Sequence, residues 1–576
     1  MTRDELTILK NKVLLAGRLA RSLLLFFVDE HRRGTLWENL SSIVQARGIS
    51  VGRDMSHADL LEEKAAKPAL ASKPFLFWKD EVFTYRQMDE NGNRLANFLA
   101  ERGGRRGAGL AIMMKNSPRW LDVFFGLEKL GMYLVPVNIA LRHDQLAYIL
   151  DNSEASILVV DHDLLEHYQS VADKVPGIKK VIVNAERAPE GYEVPDGMED
   201  LASAYGPGSN PVSPPGRYDP DDLCIIMYTS GTTGLPKGVV YRYNSTNVKA
   251  LSIMTRLLMS SDDIAYTCYP LFHANALFLT ITTSLHGEAS VALAEKFSAS
   301  RFWDEMRRYN VNTFNGLGAV IPILMKQPRK SDDRDNKVRV IIASGCPAEI
   351  WRDFEERFGV QIYEGYGAVD GGSTVITNFG TAPVGSMGRP LGSRVRIIDA
   401  EGGDCPAGSP GELICEIGKK KSSVEYFKNT EATNDKVRDG WLHTGDLVYA
   451  DDKGYIYFVG RNTESMRRRG ENVSAYEVEH AILQHPDVLE CAVYAVPSEL
   501  TEDEIMATMV PVEGSTLDPA AMPEFLSSRL AKFAVPRYYR VVETLPKTET
   551  HRVIKKELEK LGVTEDTYDA EKVQTK

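Results

Sequence analysis

The stretch Leu223-Cys224-Ile225-Ile226-Met227-Tyr228-Thr229-Ser230-Gly231-Thr232-Thr233-Gly234-Leu235-Pro236-Lys237-Gly238 decides the reading of this chain. Leu223 to Met227 form a short apolar, strand-like run. The segment after it carries the hydroxyls of Thr229, Ser230, Thr232 and Thr233, glycines that admit close backbone approach, and the ammonium of Lys237. Those are the ingredients for holding a polyphosphate. It is not a Walker loop, which needs glycine before the lysine and Ser or Thr after it, where Pro236 and Gly238 stand here. A P-loop kinase is therefore disfavoured. A flexible turn would account for an isolated TSGTTG, but the whole string from Tyr228 to Gly238 is too specific for that.

Outward from this stretch, Phe83 to Leu99 reads as a strand, a turn and a helix, and Gly131 to Val137 and Ser156 to Val160 read as short buried strands. Strand and helix alternate, as in α/β sheets. The breaker-rich segment Gly206 to Gly216 reads as a link between two subdomains, and a second break follows Gly460. Beyond it lies a compact α+β region of about a hundred residues. There Ser474 to Glu477 fits a capping box, Cys491 to Val496 a strand, and Met522 to Leu530 a helix. No internal repeat or low-complexity tract is seen.

A chain of 576 residues has room for several compact units, and 43% hydrophobic with 26% charged residues is an ordinary globular composition. Its net charge of −12 opposes non-specific attraction to a nucleic-acid backbone. The six cysteines are scattered without thiolate-site spacing and no HExxH is present, so a reduced, cytoplasmic chain is expected, with any metal a hard ion on oxygen ligands. Near the N-terminus, Arg18 and Arg21 interrupt the apolar run that ends at Val28, and Asp4-Glu5 precede it. This is neither a spanning helix nor a signal peptide. A helix packed on its own protein is the favoured reading, and peripheral membrane contact through that helix is the alternative.

Taken in order, the phosphate loop, Tyr363-Glu364-Gly365-Tyr366-Gly367, Gly440-Trp441-Leu442-His443-Thr444-Gly445-Asp446, Gly460-Arg461, Arg469-Gly470-Glu471-Asn472-Val473 and Leu545-Pro546-Lys547-Thr548 resemble the acyl-adenylate-forming (AMP-binding) superfamily. The resemblance spans roughly Thr84 to Leu558. The stretches FHANALF and FSASRFWDEMRRYNVNTFNGLGA resemble the branch of carnitine/crotonobetaine-CoA ligases and fatty-acid-transport-type (very-long-chain) acyl-CoA synthetases. The resemblance implies an α/β fold, with a large multi-subdomain N-terminal domain and a smaller, mobile α+β C-terminal domain. It divides the chain into an apolar helical extension (1–55), an ATP- and acyl-binding domain (56–460) and a mobile domain (461–576).

The implied function is an acyl-CoA synthetase that consumes ATP, CoA and a carboxylic acid, with Mg²⁺, and releases AMP and pyrophosphate. A non-catalytic or regulatory adenylate-binding relative is the alternative. By the resemblance, Thr229, Ser230, Gly231, Thr232, Thr233, Gly234 and Lys237 hold phosphates. Gly345-Cys346-Pro347 and Glu364-Gly365-Tyr366-Gly367 enclose adenine, Asp446 accepts the ribose hydroxyls and Arg461 approaches the ribose or phosphate. His273 stands at the mouth of the acyl pocket, Gly316 and Gly318 line it, and Arg469, Gly470 and Glu471 touch CoA. Three departures stand out. Val369-Asp370 replace the family's Thr-Glu, so the candidate metal ligand Asp370 is one methylene shorter and the neighbouring hydroxyl is lost. Thr463 stands in the expected hinge, Arg461 to Glu464, where relatives often carry a charge. Arg552, preceded by His551, occupies the position of the adenylation lysine, and Lys555 is the alternative cation.

Overall fold

The structure is a computed structural model that describes residues 6–572 apart from 18–19, 21–55, 215–217, 230–234, 244–258, 318–319, 372–375, 391–393, 418–423, 462–464, 469–470, 498–502, 531 and 549–552. Two mainly parallel sheets carry the large domain. The seven-stranded one runs in the order Glu199–Asp200, Lys180–Asn184, Ala155–Asp161, Gly109–Met113, Tyr133–Pro136, Leu223–Thr229, Lys237–Arg242. Its last pair is an antiparallel hairpin with Thr229 opposite Lys237. Gly238 is required there by packing, because a Cβ would sit 2.8 Å from Ile226 Cγ2.

The nine-stranded sheet has a parallel block of Pro74–Trp78, Ser290–Leu293, Ile264–Thr267, Thr313–Leu317, Val340–Ser344 and Gln361–Tyr366. These strands are short and apolar because both faces are covered. Buried residues of both sheets and of the helices Tyr85–Ala100 and Pro118–Lys129 share one core, which includes Tyr85, Trp120, Phe124, Phe302 and Phe354. No turn separates strand Glu81–Thr84 from helix Tyr85–Ala100: Thr84 caps the helix directly, in a reciprocal pair of hydrogen bonds with Gln87.

One sequence expectation is corrected. Residues 206–216 do not separate subdomains, since Glu199–Asp200 before them and Leu223–Thr229 after them belong to the same sheet. Its described part, residues 206–214, crosses the surface, where Asn93 and Asn97 donate to the carbonyls of Pro211 (2.9 Å), Asn210 (3.1 Å) and Val212 (2.9 Å). A crossing loop needs breakers as much as a domain linker does.

A third sheet, with Trp441–Ala450 at its centre, pairs with Ile456–Arg461, which places Arg461 opposite Asp446. Beyond it the smaller α+β domain begins with the hairpin Ser465–Arg468/Glu471–Ser474. Ser474 caps helix Ala475–Leu483, and its Oγ also donates to Val459 O (2.7 Å). A four-stranded sheet of Val488–Pro497, Asp503–Pro511, Tyr538–Val541 and Tyr568–Asp569 follows, with its own apolar core around Val478, Val493 and Tyr539. The expected helix from Met522 stops at Ser527.

Near the N-terminus, residues 6–17 are helical. Asn11 donates to Gly380 O (2.9 Å) and Leu15 packs against a small core that includes Tyr363 and Phe379, while Leu6, Leu9, Val13 and Leu14 stay exposed. Among the described residues no helix is long and apolar enough to cross a membrane.

Candidate active site

The strands Ile264–Thr267, Thr313–Leu317, Val340–Ser344 and Gln361–Tyr366 run parallel, so the segments leaving their carboxyl ends meet along one edge. Open α/β sheets bind ligands at such an edge. His273, Gly345-Cys346-Pro347 and Gly367 to Asp370 follow these strands, and Tyr366 ends the last of them. The seven-stranded sheet reaches the same edge, where Tyr241 Oη donates to Val369 O (2.7 Å).

A continuous series of polar contacts joins several of the expected site residues. Lys237 Nζ lies 5.3 Å from the ring centroid of Tyr426, whose hydroxyl donates to Asp370 Oδ2 (2.6 Å). Lys436 Nζ reaches the same carboxylate oxygen (3.0 Å) and donates to Thr444 O (3.2 Å). Thr444 Oγ1 in turn accepts from the amide of Asp446 (3.1 Å). Asp446 Oδ2 accepts from Tyr366 Oη (2.5 Å), and Arg461 Nε lies 3.2 Å from Oδ1. Lys237, Asp370, Tyr366, Asp446 and Arg461 thus form one cluster, tied together by Tyr426, Lys436 and Thr444.

The electrostatics follow from burial and from these partners. Burial raises the Asp446 carboxyl, against the hydroxyl of Tyr366 and the charge of Arg461. Burial would also raise Asp370, but Lys436 and the Tyr426 hydroxyl outweigh it and hold this carboxyl below the ordinary aspartate range.

Glu364 has a supporting place. It is buried, and its two oxygens accept from the amides of Gly345 (2.5 Å) and Cys346 (3.3 Å), which fixes the loop Gly345-Cys346-Pro347. Gly345 has φ +85°, a conformation that favours glycine. Beside Tyr366, a Cβ at Gly367 would meet nothing within 4 Å. Burial pushes the Glu364 carboxyl up to about 7, against its two amide donors. Its folded-state value thus lies above the ordinary 4.5, so the stability it contributes is present below pH 4.5 and is lost as pH rises through about 7. Wild type should therefore lose about 2–3 kcal/mol relative to Glu364→Gln between pH 5 and pH 8. Urea unfolding of both proteins at the two pH values checks this; a difference that does not change with pH would show that the carboxyl is ionised throughout.

His273 precedes a short helix that passes into a π-helical turn, Leu277–Thr282. Such turns are frequent at functional sites. Burial pushes His273 down to about 4, so the ring is neutral at pH 7, and its buried Nε2 has no partner among the described residues. At Gly316 the expected room is already filled: a Cβ would meet Ile321 at 3.1 Å and Ile341 at 3.3 Å, so the glycine makes space for the protein's own side chains. Ser230 to Gly234, Gly318, Thr463, Arg469, Gly470, His551 and Arg552 lie outside the described residues, as does the side chain of Glu471. Lys555 is held by Glu479 (2.8 Å) within the small domain.

Comparison with known proteins gives this geometry its context. The AMP-binding enzyme family matches residues 61–418, and the AMP-binding enzyme C-terminal domain matches residues 477–552. The chain is 31% identical to the crotonobetaine/carnitine–CoA ligase of Salmonella agona, over 83% of this chain and 93% of that protein. Among solved structures, ATP-bound MatB from Rhodopseudomonas palustris superposes with a TM-score of 0.74 at 26% identity, covering 88% of this chain and 98% of that one. The anthranilate CoA ligase AuaEII, in complex with anthranoyl-AMP, shares the fold, with a TM-score of 0.76 at 24% identity over 88% of this chain and 97% of that one. These matches show that the chain belongs to the AMP-binding enzyme family, as an ATP-dependent acyl-CoA ligase.

Proposed function

We propose that ATP lies along the cluster from Lys237 to Arg461, with its polyphosphate at the Lys237 and Asp370 end and its ribose on Asp446. The observation that carries this reading is the unbroken run of contacts through Tyr426, Lys436 and Thr444, which aligns cations for phosphate and a carboxylate for a diol along one path. Adenine then enters beside Tyr366, between its ring and Gly345-Cys346-Pro347. Ser230 to Gly234 complete the phosphate cradle, and Arg469, Gly470 and Glu471 meet CoA. In this reading residues 56–460 form the adenylating domain, and residues 461–576 turn about 461–464 between the two half-reactions.

Asp370 is a single carboxylate, and among the described residues no group of three His, Cys, Asp or Glu side chains is placed to hold a metal. This donor set fits a magnesium ion carried mainly by the ATP phosphates, with one protein carboxylate and water completing its shell. When bound there, the ion would neutralise phosphate charge. The protein's own groups hold the nucleotide and orient the acid, whose carboxylate attacks the α-phosphorus and expels pyrophosphate before the CoA thiol displaces AMP. A non-catalytic relative is not favoured, since the named relatives are CoA ligases.

His273 acts on the acid as a neutral hydrogen-bonding ring and not as a counter-charge, because burial keeps it unprotonated. His273→Phe should lower kcat/KM for the acid about tenfold, the size of one neutral hydrogen bond, and leave KM for ATP unchanged. Steady-state kinetics with a panel of carboxylic acids, with and without CoA, measure this; unchanged acid kinetics in the variant would remove His273 from the acyl site.

A further inference from the structure

By the resemblance, Arg552 stands where the family has its adenylation lysine, and Lys555, the other cation of that tail, is engaged by Glu479 (2.8 Å). Arginine is a poor replacement for a compact ammonium. A different ammonium is already in the cluster. Lys436 is the last residue of helix Thr430–Lys436, its side chain is only 15% exposed, and its Nζ spans from Asp370 Oδ2 (3.0 Å) to Thr444 O (3.2 Å). The helix is fixed at its start, where Asn429 accepts from Ala432 N (2.9 Å), and Thr433 Oγ1 accepts from Tyr426 N (3.0 Å). The lysine therefore projects from an anchored element, at a helix C-terminus that favours a cation.

Its place along the cluster is informative. In ATP the α-phosphate is bonded to the ribose on one side and to the β-phosphate on the other. With the ribose on Asp446 and the polyphosphate at Lys237 and Asp370, the α-phosphate must lie between these ends. Lys436 is the described cation that touches both, through Asp370 and through Thr444, two residues before Asp446.

We propose that Lys436 is a catalytic cation of adenylation. Its Nζ rests on Asp370 without nucleotide and passes to an α-phosphate oxygen when ATP enters. There it offsets charge while a carboxylate oxygen of the acid forms its bond to the α-phosphorus and the bond from that phosphorus to the bridging oxygen breaks, with the electron pair leaving on pyrophosphate. The proposal rests on the placement of ATP given above.

Three readouts test it: acid-dependent pyrophosphate–ATP exchange, thioester formation from supplied acyl-adenylate and CoA, and calorimetric titration of ATP in EDTA. Lys436→Met should lose about 100-fold in exchange and at least about tenfold in metal-free ATP affinity, while thioester formation stays within about threefold of wild type. Lys436→Arg should regain part of both losses. Asp370→Asn, which releases the ammonium, should bind metal-free ATP at least as tightly as wild type. Wild-type exchange and ATP affinity in Lys436→Met would overturn the assignment. So would equal loss of thioester formation, or the same loss of ATP affinity in Asp370→Asn, either of which would mark the pair as a structural brace. If Asp446→Ala left ATP affinity intact, the placement of the nucleotide would fail, whatever Lys436 does.

Discussion

Asp446→Ala is expected to lower acid-dependent pyrophosphate–ATP exchange by at least about 100-fold, because two hydrogen bonds from the ribose hydroxyls to a carboxylate are lost, at about 1.5–3 kcal/mol each. Asp446 is 3% exposed, and its two oxygens face Tyr366 Oη and Arg461 Nε. A ribose diol would be met by the same two oxygens, so the alanine loses the ligand contact and also leaves a tyrosine hydroxyl and a guanidinium without their acceptor. Part of the cost therefore falls on stability. Asp446→Asn keeps the shape and one acceptor oxygen, so it should hold its melting temperature better while KM for ATP rises. Exchange kinetics together with thermal unfolding separate the two effects. Wild-type exchange in both variants would take Asp446 out of the nucleotide site.

Lys237→Ala should depress exchange by a similar factor, about 100-fold, through loss of charge stabilisation at the phosphates. Here the effect on stability should be small. The described contact of this ammonium is the face of Tyr426 at 5.3 Å, an interaction of about 0.5–1 kcal/mol at a partly exposed site. Lys237 thus offers a cleaner test than Asp446, since a fall in rate with an unchanged melting temperature is attributable to the ligand. A variant that melts early but exchanges normally per folded molecule would assign Lys237 to the hairpin alone.

The parts of this protein that were legible in its sequence are those encoded locally. The run Leu223 to Met227 reads as a strand and forms one, because its apolar residues stand together within a few positions. Tyr133–Pro136 and Ala155–Asp161 could be read in the same way. What could not be read is pairing at long range. Strand Pro74–Trp78 lies beside Ser290–Leu293, and no local pattern announces that partner. The same limit applies within the site: Asp446 stands in a recognisable stretch, whereas Tyr426 and Lys436 belong to none, and only the fold brings them to Asp370. Glycines misled in a related way. Gly316 and the segment from Gly206 to Gly216 looked like a tunnel wall and a domain link, yet one makes space for Ile321 and the other crosses a single sheet. Small side chains and breakers report a local steric need without saying which neighbour imposes it.

The chain activates a carboxylic acid by adenylation before CoA takes part. Acid-dependent exchange of labelled pyrophosphate into ATP, measured with no CoA present, tests it most directly. Exchange should require the acid and not CoA, and should give way to AMP, pyrophosphate and thioester once CoA is added. Release of ADP and phosphate, or exchange that appears only when CoA is present, would contradict it.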